Sequence, residues 1–370
     1  MKQIVVIGGG LSGLIASILL VRAGFKVKLL ERKRYPFHRV CGEYISNEVK
    51  PFLKKNGLLP AHVEPAEINK FQLTSINGES AKLPLDLGGF GLSRYVLDNF
   101  LAEKSVAAGV ELIHERVVTI DFTKGRFFIK TNHSEYEADI VLGAHGKRST
   151  LDKNMDRDFV KRKSPYIGVK YHVRYGGHDQ QTVALHNFEG GYCGINRVEN
   201  DIYNLCYLGE RRSSKLEGTI ENMERNVLMK NPFLNRIFSD ATFVFDKPVV
   251  INEISFETKR PVEQHVLMCG DAAGMITPLC GNGMAIAIHS AKIAAETIMQ
   301  HASGETLHRD KLEADYSHQW NSIFKRRLQI GRRIQHMFGA PWLSNTAVAI
   351  CNSAKPVANY LMSKTHGQVF

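Results

Sequence analysis

The sequence is poor in the features that mark secreted, membrane-spanning and metal-binding proteins. Its 370 residues include only six cysteines, and no two of them form a close C-x-x-C pair. This spacing excludes a zinc ribbon and a disulfide framework and favours a reducing compartment. No apolar run is long enough to span a bilayer, and a strand pattern begins directly after Met1-Lys2 without a charged and then apolar leader. We therefore expect a cytoplasmic protein.

Acidic residues are also scarce relative to basic ones. Asp and Glu number 37 against 48 Lys and Arg, and the formal net charge at pH 7 is +11. The cations are spread along the chain and do not form a recognised nucleic-acid-binding module, so we expect an anionic cofactor and no nucleic-acid partner. Basic residues at 325–333 precede Trp342. That order is compatible with a solvated helix face or with peripheral contact to an anionic membrane.

Glycine is abundant and recurs in motifs typical of cofactor sites. Gly8, Gly10 and Gly13 follow the apolar residues 4–7 and open a helical pattern at residues 14–23. In this context Gly8 permits a tight turn, Gly10 lets the backbone approach a pyrophosphate, and Gly13 lets the helix pack closely on the strand. The free N–H groups at the helix start can bind phosphate. The segment therefore predicts a dinucleotide site.

An acidic residue stands where such a site needs one. Glu31 ends the second predicted strand, about 20 residues after the glycines, and can accept a hydrogen bond from the adenosine ribose. The neighbouring Arg32 and Arg34 could instead contact the 2′-phosphate of NADP, which an unpaired Glu31 would repel. We include Glu31 and Arg32 among the predicted cofactor-binding residues.

A later motif distinguishes FAD from NAD. Gly270-Asp271 follows a buried strand pattern at residues 265–269. A carboxylate there can accept hydrogen bonds from a ribityl chain, which NAD lacks, although Asp271 taken alone could be a helix N-cap. The next helix begins at Gly281-Asn282-Gly283-Met284, and its N–H groups would favour negative charge on a reduced flavin. Together with the first motif, this segment predicts FAD.

These motifs resemble the FAD-dependent oxidoreductases of para-hydroxybenzoate hydroxylase type, and within them the group of geranylgeranyl reductases and flavin-dependent halogenases. The segment from Leu92 to Asp98 also resembles the family's Arg-x-x-hydrophobic-Asp helix, whose arginine lies near the cofactor. The resemblance covers nearly the whole chain. It implies that FAD is held by Gly8, Gly10, Gly13, Glu31, Arg94, Gly270, Asp271, Gly281, Asn282, Gly283 and Met284.

The middle motif departs from the family pattern. It usually reads Ala-Asp-Gly, whereas this chain has Ala144-His145-Gly146. His145 could be functional or a packed or capping histidine. The resemblance implies NAD(P)H or another electron donor as co-substrate, although hydroxylases associate NAD(P)H docking with this altered segment. The tryptophan pair of the halogenases is absent, since the only tryptophans are Trp320 and Trp342, which disfavours halogenation.

Two other segments resemble the reductases. Cys41, in the segment from Arg39 to Glu43, resembles the Cys-Gly element that geranylgeranyl reductases place beside the flavin. Tyr192 resembles the tyrosine at the centre of their substrate-sheet motif, although Gly194 and Asn196 replace residues expected after it. The resemblance implies catalytic roles for Cys41 and Tyr192. Both residues are also compatible with simple packing in a core.

We predict an α/β fold with a Rossmann-type FAD-binding domain interleaved with a β-sheet substrate domain and followed by a helical C-terminus. Strand-like runs between residues 154 and 265 indicate the substrate sheet. The predicted FAD-binding domain comprises residues 1–70, 91–153 and 266–300; the substrate domain comprises 71–90 and 154–265; the helical region is 301–370.

The predicted function is that of an FAD-dependent oxidoreductase acting on a hydrophobic small molecule of isoprenoid or phenolic-lipid type. The resemblance favours reduction of carbon–carbon double bonds. Two alternatives stay open at this point, namely an NAD(P)H-dependent monooxygenase for an aromatic or phenolic-lipid substrate and a flavin-binding module without turnover. The sequence does not predict an oligomeric state.

Overall fold

The computed structural model describes residues 2–162, 164–257, 259–276, 282–304, 306–335, 341–353 and 367–370. Its strands, β1 to β18 in chain order, are Gln3–Ile7, Lys26–Leu30, Tyr44–Ser46, Ala66–Thr74, Ser80–Gly91, Glu111–Ile113, Val117–Thr123, Arg126–Thr131, Glu135–Ala138, Ile140–Gly143, Tyr166–Arg174, Thr182–Phe188, Gly191–Arg197, Tyr203–Glu210, Thr242–Phe243, Val249–Ile254, Val262–Glu263 and Val266–Met268. Its helices, α1 to α11, are Leu11–Arg22, Lys50–Lys55, Arg94–Ala107, Thr150–Asn154, Arg211–Glu217, Ile220–Asn226, Pro232–Asp240, Gly283–Ala302, Arg309–Trp320, Arg326–Gln335 and Pro341–Ser353.

The first sheet has six strands in the order β17-β18-β10-β1-β2-β6. All neighbouring pairs are parallel except β17 with β18. The central strand β1 is a continuous apolar run because it is covered on both faces, and Ile4, Val5 and Val6 have no exposed surface. Helix α1 packs on β1 and β2 and against α3 and α8. A three-stranded antiparallel sheet, β7 to β9, meets β1 and β10.

The second sheet has nine strands. Eight follow the order β15-β11-β14-β13-β12-β4-β5-β3, and β16 pairs with β11. Alternate residues of β11 point to opposite faces. One face carries Val169, Tyr171 and Val173, which belong to an apolar core. We call it the outer face. Lys170 and His172 lie on the opposite face. Helices α6 and α7 contribute buried residues to the apolar core on the outer face.

The predicted fold class is confirmed, including the helical C-terminus. The strand-like runs predicted at residues 182–188, 203–208 and 242–245 form β12, β14 and β15. Strand β12 has the predicted bounds, β14 ends two residues later and β15 ends two residues earlier. The domain division stays a prediction, although β3 and the first residues of β4 pair within the larger sheet, earlier than residue 71. In the C-terminal region, α11 begins at Pro341, and Phe370 stacks on His289 with ring centres 3.7 Å apart.

A membrane contact also stays a prediction. No helix in the described ranges is both long and apolar enough to cross a bilayer. Trp342 is 70% exposed at the start of α11, but residues 336–340, which link it to the basic helix α10, lie outside the described residues.

Candidate active site

A cavity of about 830 Å³ lies where the carboxyl ends of the parallel strands meet the larger sheet. Its volume is within the range typical of small-molecule and cofactor sites. Residues directly after β1, β2, β10 and β18 contribute to its wall, and so do residues of β16 on the larger sheet. This is the edge at which open α/β sheets bind ligands.

The Gly-rich turn is built by close backbone approach. Gly8 has a φ of +104°, and its N–H donates to the carbonyl oxygen of Leu30 at 2.8 Å. A Cβ at Gly8 would collide with the Ala144 backbone, and one at Gly13 would collide with the Gly8 carbonyl. Gly10, at the N-cap of α1, lines the cavity, and the nearest protein atom to a Cβ built there is 3.6 Å away. The turn therefore leaves room for a ligand at the helix N-terminus.

Glu31 faces this turn, as the sequence predicts. Its side chain is nearly buried and accepts hydrogen bonds from the backbone N–H of Gly9 at 2.9 Å and of Lys33 at 3.0 Å. Arg39 pairs with the same carboxylate at 3.2 Å. Arg32 is exposed at the cavity edge. Glu31 thus has a fixed orientation, but it shares its carboxylate with an arginine that the motif did not indicate.

Arg94 also reaches the turn. It makes two ionic hydrogen bonds to the buried Asp98, from Nε at 2.6 Å and from Nη2 at 2.7 Å, a fork geometry that fixes the guanidinium plane. Asp98 accepts a third bond from Arg39 Nε at 3.1 Å. Arg94 Nη2 is the atom that lies 3.6 Å from a Cβ built on Gly10. The arginine of the predicted motif is therefore next to the Gly-rich turn.

Asp271 also lines the cavity. Gly270 follows β18, and its N–H donates to Ser290 Oγ of α8 at 2.9 Å. Burial raises the pKa of Asp271, while Lys259 and Lys147 act in the opposite direction.

The predicted helix start is the N-terminus of α8. Asn282 is its N-cap and is fully buried, whereas Gly283 and Met284 line the cavity. Gly281 lies outside the described residues. The structure thus brings Gly283 and Met284 to the same cavity as Asp271.

His145 occupies the position of the usual aspartate and packs inward. Its Nε2 is 3.1 Å from Asp152 Oδ1. Asp152 belongs to the capping box of α4, and Arg157 donates to it at 2.8 Å. Burial alone would raise the pKa of Asp152, but the hydrogen bonds from His145 and Arg157 hold it at about 2. These contacts favour a packed histidine over a functional one.

Cys41 lies in the cavity wall, in a turn that is attached to the larger sheet. Asn204 of β14 donates to the carbonyl oxygens of Cys41 at 3.1 Å and Gly42 at 2.9 Å. The Cys41 Sγ accepts from the Glu43 N–H at 3.5 Å. Burial raises the pKa of Cys41, although the nearby Arg94 acts in the opposite direction. The thiol is therefore protonated at neutral pH.

Glu43 anchors this turn across the interface between the sheets. Its carboxylate has no exposed surface and accepts from Lys170 Nζ at 2.5 Å, from the Arg94 N–H at 2.7 Å and from His172 Nε2 at 2.7 Å. Burial alone would raise the pKa of Glu43, but Lys170 and His172 hold it at about 2. Glu43 has a φ of +52°, a conformation that is strained for a residue with a side chain.

Tyr192 is placed differently from Cys41. It lies on the cavity-side face of β13, because Cys193 and Ile195 point into the outer core. Tyr192 is 2% exposed and belongs to a cluster that includes Leu208 and Val348 of α11. Cys41 lines the cavity, whereas Tyr192 does not belong to the described residues that line it. Their predicted catalytic roles stay predictions.

Sequence patterns missed several polar residues around the cavity. Lys170 and His172 did carry a signal, since a lysine and a histidine interrupt an apolar strand pattern at residues 166–173. Arg39 and Glu43 flank Cys41 in the quoted motif, but their partners are far away in sequence. No short-range pattern predicts those partners.

The fold and the cavity define an α/β protein with a Rossmann-type dinucleotide-binding sheet and a second, larger sheet. Residues 1–328 match the FAD binding domain family, and the chain belongs to that family. It is an FAD-dependent oxidoreductase, as the sequence predicts, and the non-catalytic alternative is set aside.

Known proteins similar to this chain include reductases and a brominase. Digeranylgeranylglycerophospholipid reductase 2 of Methanopyrus kandleri is 26% identical over 366 residues, covering 91% of this chain and 86% of the relative. A geranylgeranyl bacteriochlorophyll reductase-like structure from Thermoplasma acidophilum has a TM-score of 0.78 at 16% identity and covers 98% and 95% of the two chains. Flavin-dependent brominase Bmp2 has a TM-score of 0.76 at 16% identity, with 98% and 93% covered. The two structures show a shared fold.

The residues present fit FAD. Gly8 and Gly10 leave an open helix N-terminus for phosphate, Glu31 can accept a ribose hydroxyl, and Asp271 can accept polyol hydroxyls. FAD supplies redox chemistry when bound. The part played by each residue stays a prediction.

Proposed function

We propose that this protein is an FAD-dependent reductase that saturates carbon–carbon double bonds of a hydrophobic, isoprenoid-type substrate. The observation that carries the proposal is the position of Cys41 in the cavity wall, in the element that resembles the reductases. Apolar residues stand nearby in the same wall, including Val40, Ile251 and Met275. Similarity to a lipid reductase supports the same assignment.

In this proposal, different residues of the chain orient the cofactor, support the Cys41 turn and contact the substrate. Glu31, Arg94 and Asp271 orient the cofactor, and the Glu43 cluster holds the Cys41 turn against the larger sheet. The protonated Cys41 thiol contacts the substrate and fixes its position. Electrons come from NAD(P)H or another carrier, and the substrate enters beside the apolar wall.

Product analysis tests the reaction. Purified holoenzyme is incubated with a geranylgeranyl lipid and NADPH, or with dithionite without oxygen, and the products are analysed by mass spectrometry. We expect products that gain two hydrogens per double bond with dithionite, and with NADPH as well where NADPH is the donor. A product that gains an oxygen atom from isotopically labelled O₂, and forms only in air, would favour the monooxygenase alternative.

Cys41→Ser tests the site itself. Because a misplaced substrate loses roughly 100-fold in rate, we expect turnover to fall by about that factor while FAD content is unchanged. Cys193→Ser is the matched control, since Cys193 is buried on the outer face of β13. Equal turnover in the two variants, measured on the same lipid, would remove the assignment of Cys41.

A further inference from the structure

A buried lysine, Lys259, and a half-buried one, Lys147, stand beside Asp271. Lys259 is 6% exposed, and its Nζ donates to the carbonyl oxygens of Lys147 at 2.7 Å and of Asp271 at 2.6 Å. Its ammonium also lies 4.3 Å from the centre of the Phe159 ring. Lys147 lines the cavity. Its Nζ is shielded from solvent and has no hydrogen-bond partner in the described part of the chain.

The neighbouring charges are already paired. Arg94 is bound to Asp98 at 2.6 Å, and Arg157 is bound to Asp152 at 2.8 Å. Asp271 is the carboxylate that acts on Lys147, whereas Lys259 is also influenced by Asp152, which Arg157 already binds. The Lys147 ammonium therefore shares the Asp271 charge with Lys259. A buried charge without a partner is costly, so this part of the wall is incomplete without an anion.

The pKa values of the lysines agree with this shortage. Burial lowers the pKa of Lys147 to about 8, although Asp271 acts in the opposite direction. Burial likewise lowers the pKa of Lys259 to about 8. A bound anion would favour the charged form of each amine.

Lys147 lies between the two sheets. The titratable groups that act on it are Asp271, which follows β18, and Cys206, which belongs to β14 of the larger sheet. Cys206 in turn is influenced by Cys41 and Lys170. Lys147 therefore has titratable neighbours that belong to both sheets.

We propose that Lys147 binds a phosphate-type oxyanion in this cavity, with Lys259 holding the Lys147 backbone in place. A diphosphate group fits the chemistry because it brings the negative charge that the two lysines lack. The anion has two sources, the diphosphate of the cofactor or a phosphorylated headgroup of the substrate. The proposal does not depend on which reaction the enzyme performs.

The experiment uses the full-length protein and three variants. Lys147→Met removes the charge at nearly constant length, and Lys147→Arg retains it. Lys153→Met is the matched control, because Lys153 also borders the cavity but is exposed to solvent. FAD affinity of the apoprotein is measured by flavin fluorescence. The holoenzyme is then titrated with inorganic pyrophosphate while the flavin absorbance is recorded.

The two sources give different results. If the cofactor supplies the anion, Lys147→Met weakens FAD affinity by about tenfold or more, while Lys147→Arg and Lys153→Met stay close to wild type. If the substrate supplies it, FAD affinity is unchanged in Lys147→Met. Pyrophosphate then shifts the flavin absorbance of the wild-type holoenzyme saturably, and Lys147→Met abolishes that shift.

The proposal is overturned if Lys147→Met binds FAD as wild type does and pyrophosphate gives no saturable shift that depends on Lys147. Circular dichroism of each variant shows whether it is folded. Lys147→Gln, which is shorter and polar, replaces Lys147→Met if the latter does not fold, and the same outcomes apply.

Discussion

The two faces of the larger sheet each bury a glutamate, but in opposite surroundings. On the cavity side, Glu43 meets Lys170 and His172 of β11. On the outer side, Glu224 of α6 accepts hydrogen bonds from Tyr171 at 3.0 Å and from Tyr207 at 2.8 Å. Lys170 and His172 of β11 thus contact Glu43, while Tyr171, which lies between them in the strand, contacts Glu224.

The difference lies in the charge of the partners. Burial raises the pKa of both carboxyls, but the cationic partners of Glu43 reverse the shift and bring its pKa to about 2. Glu224 has hydroxyl partners, which lower its pKa too little to offset burial, and the pKa is about 7. Two buried glutamates therefore differ in ionisation: the one beside the cavity is charged, and the one on the outer face titrates near neutrality.

The largest expected effect comes from breaking the charged side. Glu43→Gln leaves the fully buried Lys170 ammonium without its anion, and we expect a loss of about 3–5 kcal/mol in the free energy of unfolding. Adding Lys170→Met removes the stranded charge, so the double variant should be more stable than Glu43→Gln alone. Urea unfolding of the wild type, Glu43→Gln, Lys170→Met and the double variant measures both effects. Additive losses would show that the two side chains do not interact.

The pH dependence of stability sharpens the comparison. The folded pKa of Glu224 is raised from 4.5 to about 7, so the folded protein keeps a proton that the unfolded chain loses between those values. Stability from this group is complete below pH 4.5 and falls as the pH rises to about 7, by up to about 3 kcal/mol. Glu224→Gln should flatten that decline when unfolding is measured across the range.

Glu43 should show the opposite sign. Its folded pKa is lowered from 4.5 to about 2, so its contribution is present above pH 4.5 and is lost as the pH falls towards 2. Glu43→Gln should therefore remove part of the loss of stability below pH 4.5. An unchanged acid limb in Glu43→Gln would contradict this assignment.

The smallest expected effect concerns one hydroxyl on the outer side. Tyr207→Phe removes a hydrogen bond to Glu224 and should cost about 1 kcal/mol at neutral pH. It should also raise the pKa of Glu224 further, because that bond lowers the pKa. Tyr192→Phe, on the cavity-side face, is the control and should leave the pH profile in place. Stability curves recorded at several pH values distinguish the two variants.

Short-range patterns were sufficient for the FAD-binding elements. The Gly-rich turn follows β1 as residues 4–13 predict, and α1 begins at Leu11, three residues before the predicted helical pattern. Glu31 faces the turn since β1 and β2 are adjacent parallel strands joined by α1. Arg94 and Asp98 were also available to sequence reasoning, because a spacing of four residues puts them on one helix face.

The surroundings of Cys41 could not be predicted in the same way. Glu43 and Lys170 are 127 residues apart, and nothing near either residue indicates the other. Tyr192 illustrates the same limit, because the motif around it resembles an active-site element, yet α11 packs against its cluster. The neighbours of a side chain depend on how distant segments dock.

Local sequence was thus enough to assign the cofactor, the class of enzyme and the two kinds of sheet, since glycine spacing and apolar periodicity act over a few residues. The ionisation of Glu43 and Glu224 and the separation of Tyr192 from the cavity arise only in the folded chain. The same holds for the Lys147 ammonium, which has no hydrogen-bond partner among the described residues. The physical reason is that a buried group's charge is set by its desolvation and by the charges it meets, and distant segments supply both.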